Sequence, residues 1–179
     1  MLKKLLEKYN FKLAVAESLT GGKLSAKICN EAGISKYYLG SVTSYTCDIK
    51  NRVLGVAKEL LDEQGPYNFE TTRQMCDGVM SLMNSDVAVA TSGVAGPGPD
   101  LGVEQGTYYI TVKVKHKYFD KLTVPSKIIQ ASSLIAHQFK TNFQHQPQNV
   151  FETFFIFFQY INIKYWIPIE KIIIAHNTN

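Results

Sequence analysis

In the first 124 residues, segments with a strand-like pattern of apolar and polar positions alternate with segments that have a helix-like pattern. A period of two, or a short apolar run, predicts strands at residues 12–16, 38–45 and 86–91. A helical period predicts helices near residues 2–9, 20–29, 50–54, 57–64 and 70–83. Residues 107–115 and 118–124 predict a hairpin that turns at Lys115-His116-Lys117. Strands that alternate with helices indicate a layered α/β fold, and the hairpin makes its sheet mixed.

The pattern changes after about Pro125. All twelve glycines lie at or before Gly106, whereas the last 55 residues hold ten of the 21 aromatic residues and two of the 15 acidic residues. No charge-free run there reaches the roughly 18 residues that a membrane-spanning helix needs. We therefore predict a folded domain over residues 1–124 and a divergent, aromatic-rich tail over residues 125–179. A buried helix or strand pair and an out-of-frame end that was never selected to fold both remain open for the tail.

Composition narrows the class of protein. The net charge of +4 comes from scattered lysines, so it does not indicate a nucleic-acid partner. The three cysteines are odd in number and far apart, a spacing that fits neither a disulfide framework nor a zinc site. The first residues have no long apolar core and no cleavage site, so they do not resemble a signal peptide. We expect reduced thiols in the cytoplasm, no metal, no cofactor and no membrane partner.

The segment AVAESLTGGKLSAKI, residues 14–28, joins a predicted strand to a predicted helix. With Thr20 as its N-cap, the helix would open at Gly21 and Gly22 with uncapped N–H groups facing outward. Such a helix start attracts a phosphate or carboxylate, and glycine lets it approach. A Walker loop is excluded, because that motif needs glycine where Glu17 stands and Ser or Thr where Leu24 stands. An ordinary tight turn remains the alternative.

Two further segments carry candidate chemistry. TSGVAGPGPDLGVEQGT, residues 91–107, follows the buried strand directly. Ligands in open α/β sheets bind beyond the carboxyl ends of strands, so we expect this loop and the first one to converge on one crevice. A mobile surface loop is the alternative. SVTSYTCDIKNRVLG, residues 41–55, adds hydroxyl groups, Tyr45 and Lys50 near another strand end.

Together, AESLTGG at 16–22, SVTSYTCDIKNRVLGV at 41–56 and TSGVAGPGPDLGVEQGTYYI at 91–110 resemble the C-terminal domain of the CinA competence/damage-inducible proteins. The stand-alone form of that domain is known as nicotinamide-nucleotide amidase. The resemblance covers residues 1–124 and implies a three-layer α/β/α domain with a mixed sheet. It also implies metal-free deamidation of nicotinamide mononucleotide to nicotinate mononucleotide and ammonia, by a homodimer or larger assembly.

The resemblance also assigns roles to residues. It implies that Ser18 is the nucleophile and that Tyr45 and Lys50 act with it. No histidine precedes His116, so a lysine whose pKa is lowered by desolvation is the expected base, with Tyr45 relaying the proton or orienting the lysine. Glu17 either supports the site from behind or acts as the acid at a helix start. The implied substrate-binding residues are Glu17, Thr20, Gly21, Gly22, Ser92, Gly93, Val94, Ala95, Gly96, Pro97, Gly106 and Thr107.

The chain departs from the family pattern in three places. Cys47 stands where the family usually has asparagine, and GVEQGT, residues 102–107, lacks the family's lysine-proline pair. After the hairpin, residues 124–129 replace a segment of the form G-[DN]-R-x-x-[IV]-R and a closing helix, and no arginine follows Arg73. The alternative hypotheses are therefore a catalytically impaired nucleotide-binding protein and a degenerate gene product with an altered C-terminus.

Overall fold

Five strands form one sheet in the computed structural model, which describes residues 2–123. They are β1 (Leu13–Glu17), β2 (Tyr38–Thr43), β3 (Val87–Gly93), β4 (Tyr108–Val114) and β5 (Lys117–Thr123). Their order across the sheet is β2-β1-β3-β4-β5. The first three pair in parallel, and β4 and β5 pair antiparallel, so the sheet is mixed as the hairpin predicts.

Helices cover both faces of this sheet. They are α1 (Leu2–Tyr9), α2 (Lys23–Cys29), a 3₁₀ turn (Ile34–Lys36), α3 (Cys47–Leu54), α4 (Lys58–Gln64) and α5 (Phe69–Met83). One apolar cluster packs α1, α2 and the 3₁₀ turn against one face of the sheet. A second cluster packs α3, α4 and α5 against the other face. The predicted three-layer α/β/α fold is thus confirmed for the described residues.

The pattern of apolar positions located the strands to within about two residues, most directly at β1 and β3, which are short apolar runs buried on both faces. It was less accurate at two helix starts. The helix predicted from residue 20 begins at Lys23, and the helix predicted from residue 50 begins at Cys47, where the Thr46 side chain accepts a hydrogen bond from the Ile49 N–H. The predicted tail, residues 125–179, lies outside the described residues.

Candidate active site

The three parallel strands β1, β2 and β3 end together at one edge of the sheet. Glu17, the last residue of β1, is in register with Thr43 and with Thr91. The pairing continues one residue further, because the Ser18 N–H donates to the Thr91 carbonyl at 3.0 Å and the Ser44 N–H donates to the Glu17 carbonyl at 2.8 Å. Ser18 therefore lies at the centre of this carboxyl edge, where ligands bind in open α/β sheets.

Lys50 reaches Ser18 from α3. The Lys50 side chain lies one turn before the buried Leu54, on the helix face that packs against the sheet, and the residue is only 1% exposed. Its Nζ donates to Ser18 Oγ at 2.9 Å, to the Ser44 carbonyl at 2.9 Å and to the Tyr45 carbonyl at 3.4 Å. The structure thus brings together two predicted site residues that are far apart in sequence.

Burial changes the acid–base behaviour of this amine. Desolvation lowers the pKa of Lys50 from its usual 10.5, and the nearby Cys47 thiol acts in the opposite direction without offsetting it. As an ammonium, Nζ has three N–H groups for its three oxygen neighbours. As a neutral amine, it has two N–H groups, which can donate to the two carbonyls, and a lone pair, which can then face the Ser18 hydroxyl. The arrangement can therefore take the proton of the Ser18 hydroxyl.

Glu17 points to the other face of the sheet and closes the start of α2. Its carboxylate is fully buried and accepts five hydrogen bonds, from the N–H groups of Gly22, Leu24 and Ser25 and from the hydroxyls of Thr20 and Ser25. Of the two roles expected for Glu17, the structure shows the acid at the helix start.

Two expectations about this turn were wrong. Thr20 is not the N-cap of α2; the N-cap position is Gly22, which makes no side-chain hydrogen bond, and the Thr20 hydroxyl bonds to Glu17 instead. The N–H groups expected to be uncapped already bond to the protein: that of Gly21 donates to the Ser18 carbonyl, that of Gly22 to Glu17 and that of Lys23 to the Thr20 carbonyl. The left-handed φ angles of Gly21 and Gly22, +55° and +95°, let the chain fold around its own carboxylate. The binding roles predicted for these residues stay predictions.

Tyr45 presents its backbone to the site. Its carbonyl faces Lys50 Nζ, whereas the residue as a whole is 74% exposed. The structure therefore brings the backbone of Tyr45, and not its phenol, to the lysine. The expected role of the phenol as a proton relay stays a prediction.

The glycine-rich loop, residues 94–106, is braced by its own residues. The Val94 N–H donates to the Thr107 carbonyl at 2.9 Å, and the Gly106 N–H donates to the Val94 carbonyl at 2.8 Å. Gln105 was not singled out from the sequence, yet its side chain donates to the Ala95 carbonyl at 3.1 Å and accepts from the Gly98 N–H at 3.0 Å. Since this pattern is not that of an unsupported loop, it disfavours the mobile-loop alternative.

Glycine is needed at two positions in or beside this loop. Gly96 has a left-handed φ of +89°, and a Cβ on Gly93 would lie 2.5 Å from the Thr107 carbonyl oxygen, which is backbone. Pro97 lies beyond Gly96, and no hydrogen bond joins either residue to Ser18 or Lys50 within the described part of the chain. The Thr20 and Thr91 hydroxyls, 3.0 Å apart, do join the first turn to β3.

Ser92 opens the loop from the same strand end. Its hydroxyl is buried and donates to the Pro66 carbonyl at 2.7 Å. Because Ser18 bonds to the neighbouring Thr91, the predicted convergence of the two segments at one edge is observed at their first residues. Pro66, in the segment between α4 and α5, is a neighbour of the site that sequence reasoning did not identify; its only signal is the Gly65-Pro66 break.

Residues 2–123 contain no group of three or more His, Cys, Asp or Glu side chains arranged to hold a metal ion. A search of the same residues for a helix with the length and apolar character needed to cross a membrane finds none.

Comparison with known proteins identifies relatives. The family model described as CinA C-terminal domain matches residues 1–139. A putative competence-damage inducible protein from Caldanaerobacter subterraneus is 45% identical over 94 residues, which are 52% of this chain and 23% of that protein. A CinA-like protein from Pseudothermotoga lettingae is 36% identical over 110 residues, or 61% of this chain and 27% of that protein. The chain thus spans about a quarter of the length of these curated relatives.

Solved structures include the same architecture. The crystal structure of a competence-damaged protein (CinA) superfamily protein from Klebsiella pneumoniae superposes with a TM-score of 0.67 at 27% sequence identity. The superposition covers 77% of this chain and 87% of that one.

Proposed function

This chain belongs to the CinA C-terminal domain family, and on that premise we propose that it hydrolyses the carboxamide of nicotinamide mononucleotide, giving nicotinate mononucleotide and ammonia. The observation that carries the proposal is the buried contact of 2.9 Å between Lys50 Nζ and Ser18 Oγ. A serine hydroxyl becomes a useful nucleophile only when a base lies within hydrogen-bond reach. The lowered pKa of Lys50 makes its amine such a base.

The reaction follows from that contact. Neutral Lys50 takes the proton as Ser18 Oγ attacks the carboxamide carbon, and a tetrahedral oxyanion forms. Lys50 then gives the proton to the amide nitrogen, the C–N bond breaks, and ammonia leaves an ester on Ser18. A water molecule, deprotonated by the same amine, hydrolyses the ester and restores Ser18. Tyr45 remains the candidate for assisting the return of the proton.

Substrate binding is assigned to the glycine-rich loop. The N–H groups at the start of α2 are bonded to Glu17 or to the Thr20 carbonyl and cannot also bind a phosphate. We therefore assign phosphate binding to the loop that begins after Gly93. The proposed partners are this small nucleotide and further copies of the chain, a homodimer or larger, in the cytoplasm, without nucleic acid or membrane.

The test is ammonia release from nicotinamide mononucleotide by the full chain. We expect Ser18→Ala and Lys50→Ala each to lower kcat by about 10²–10⁴-fold, because each removes a reacting group. Ser81→Ala and Lys4→Ala are matched controls, since both residues are exposed and lie on helices away from the site. Variants at Ser18 and Lys50 that release ammonia as fast as the parent would refute the mechanism.

A second function is favoured by the departures from the family. Cys47 replaces an amide beside the site, and no arginine follows Arg73 to bind a phosphate in its planar fork. A nucleotide-binding protein without catalysis would raise its melting temperature with the mononucleotide and release no ammonia. A degenerate product would instead be insoluble as the full chain and become soluble when cut near residue 125.

A further inference from the structure

The segment between α4 and α5, residues 65–68, bonds both to the strand end from which the glycine-rich loop starts and to the tip of that loop. At the base, the buried Ser92 hydroxyl donates to the Pro66 carbonyl at 2.7 Å. At the tip, the Tyr67 phenol donates a short hydrogen bond to the Asp100 carboxylate. Leu101 lies against Gly65, where a Cβ would be 3.2 Å from its Cδ1. Neither Tyr67 nor Asp100 was singled out by the sequence motifs.

Asp100 is well placed to hold the tip. Its N–H donates to the Val103 carbonyl at 3.0 Å, and its carbonyl accepts from the Val103 N–H at 2.8 Å, so it closes a tight turn. The Gln105 contacts stay within the loop. Among residues 2–123, Tyr67 makes the side-chain hydrogen bond that ties residues 95–105 to another segment. The hydrogen bond from Tyr67 to Asp100 therefore restrains the position of the whole turn.

Tyr67 keeps its proton for this bond. Its pKa is raised well above the usual 10.0, first by burial and then by the hydrogen bond and charge of Asp100. Its phenol therefore donates throughout the ordinary pH range.

We propose that Tyr67 is a positioning residue that, through Asp100, holds the glycine-rich loop in its nucleotide-binding arrangement beside the Ser18–Lys50 pair. The ligand named here rests on the proposed function. Within residues 2–123, the Tyr67 side chain bonds to Asp100 and the Ser18–Lys50 pair bonds without it, so we expect Tyr67 to set the affinity for the nucleotide and to leave the amide cleavage step unchanged.

The first test separates affinity from chemistry. We expect Tyr67→Phe to raise KM for nicotinamide mononucleotide about tenfold, since hydrogen bonds to charged groups are among the strong ones, while kcat and its pH profile stay within about twofold. Tyr118→Phe is the matched control. Tyr118, on β5 and away from the site, also donates to a carboxylate, that of Asp77 on α5, with its hydroxyl 2.7 Å from Oδ1. Asp100→Asn is a second variant, which weakens the same hydrogen bond from the acceptor side by removing the charge.

The second test does not depend on catalysis. We expect amide hydrogen exchange in residues 95–105 to become faster in Tyr67→Phe and in Asp100→Asn, and to be unchanged in Tyr118→Phe. The double variant of Tyr67 and Asp100 should exceed neither single variant by much, because both remove one bond. Calorimetric Kd for the mononucleotide replaces KM if the parent releases no ammonia.

The outcomes distinguish this inference from the proposed function. Faster exchange with weaker nucleotide binding supports the inference. Unchanged exchange, unchanged affinity, or an equal effect in Tyr118→Phe overturns it, whether or not the parent is active. A parent that releases no ammonia refutes the proposed function alone.

Discussion

A lysine that is 1% exposed is uncommon, because removing a charge from water costs several kcal/mol even after relaxation. Lys50 meets three oxygen atoms, yet none of them is a carboxylate. Coulombic pairing therefore does not offset the loss of hydration, and the pKa falls. The same desolvation that lowers stability makes the neutral amine, which is the form that acts as a base, available at a lower pH than in an exposed lysine.

Lys50 predicts the pH dependence of stability. In the unfolded chain its pKa is near 10.5, and in the folded protein it is lower. Between the two values the unfolded state binds more protons, so the free energy of unfolding rises with pH through this window; below the folded pKa the full cost is present. We expect Lys50→Met to flatten that rise in urea denaturation measured from neutral pH upward.

The exposed Lys4→Met is the control for this prediction and should keep the parent's slope. The loss of donors to the two carbonyls lowers the stability of Lys50→Met equally at every pH, so the slope and not the absolute value is diagnostic. A parent whose stability does not rise through the window would contradict the lowered pKa.

At the scale of elements, α2 is a short helix whose start is completed from the preceding strand. Glu17 supplies the acceptors that its first N–H groups lack, and this holds the turn that contains Ser18. The helix and Ser18, the proposed nucleophile, are therefore positioned by one carboxylate.

Glu17→Gln tests that cap. The amide offers one acceptor oxygen and two donors to five donor groups, so some buried N–H groups lose their partners. We expect the free energy of unfolding to fall by about 1–3 kcal/mol, measured by urea denaturation. Glu63→Gln, on the exposed part of α4, should change it by less than about 0.5 kcal/mol. Equal stability of parent and Glu17→Gln would show that the cap contributes nothing.

The contact between α3 and α5 depends on Gly78. A Cβ at this position would lie 1.9 Å from the Leu54 carbonyl oxygen, so α5 approaches the end of α3 as closely as glycine allows. Alanine is the better helix former by about 1 kcal/mol. The clash is with backbone, which cannot rotate away.

We expect Gly78→Ala to destabilise the protein by about 1–3 kcal/mol, as overpacking does, despite the gain in helix propensity. Because α3 carries Lys50, its displacement should also lower ammonia release. Ser81→Ala, exposed on the same helix, should be close to neutral in urea denaturation. A more stable Gly78→Ala variant would mean that α5 shifts without cost.

At the scale of the molecule, the sheet order decides which segments meet at the candidate site. With β1 between β2 and β3, the segments after three parallel strands meet at one edge. Helices cover both faces of the sheet. At this edge the Glu17 side chain lies on the face covered by α2, and the Ser18–Lys50 pair lies on the face covered by α3. Glu17 and Ser18 are thus adjacent in sequence, but their side chains bond to different partners.

This organisation predicts the behaviour of a shortened chain. Both apolar clusters consist of residues between Leu2 and Phe119. We therefore expect a chain that ends at Thr123 to unfold in one cooperative transition and to release ammonia with a kcat of the same order as the full chain. The family match extends to residue 139, so a chain that ends there is the comparison. Loss of cooperative unfolding in both would show that later residues are needed.

Much of the fold could be predicted because strands such as residues 86–91 carry their burial in a short, local pattern. The site was predictable only by resemblance. Ser18 and Lys50 are 32 residues apart, and no local pattern marks a lysine as buried. Gln105 and Tyr67 escaped notice because their partners are backbone groups or lie 33 residues away.

The sequence by itself determined the type and order of the elements in residues 2–123, because hydrophobic periodicity acts over a few residues and sets which faces can be buried. Only the tertiary structure decided where Glu17 points, that the amine of Lys50 loses its water beside Ser18, and which loop residues brace one another. These outcomes depend on contacts between distant segments, whose energies no local pattern contains.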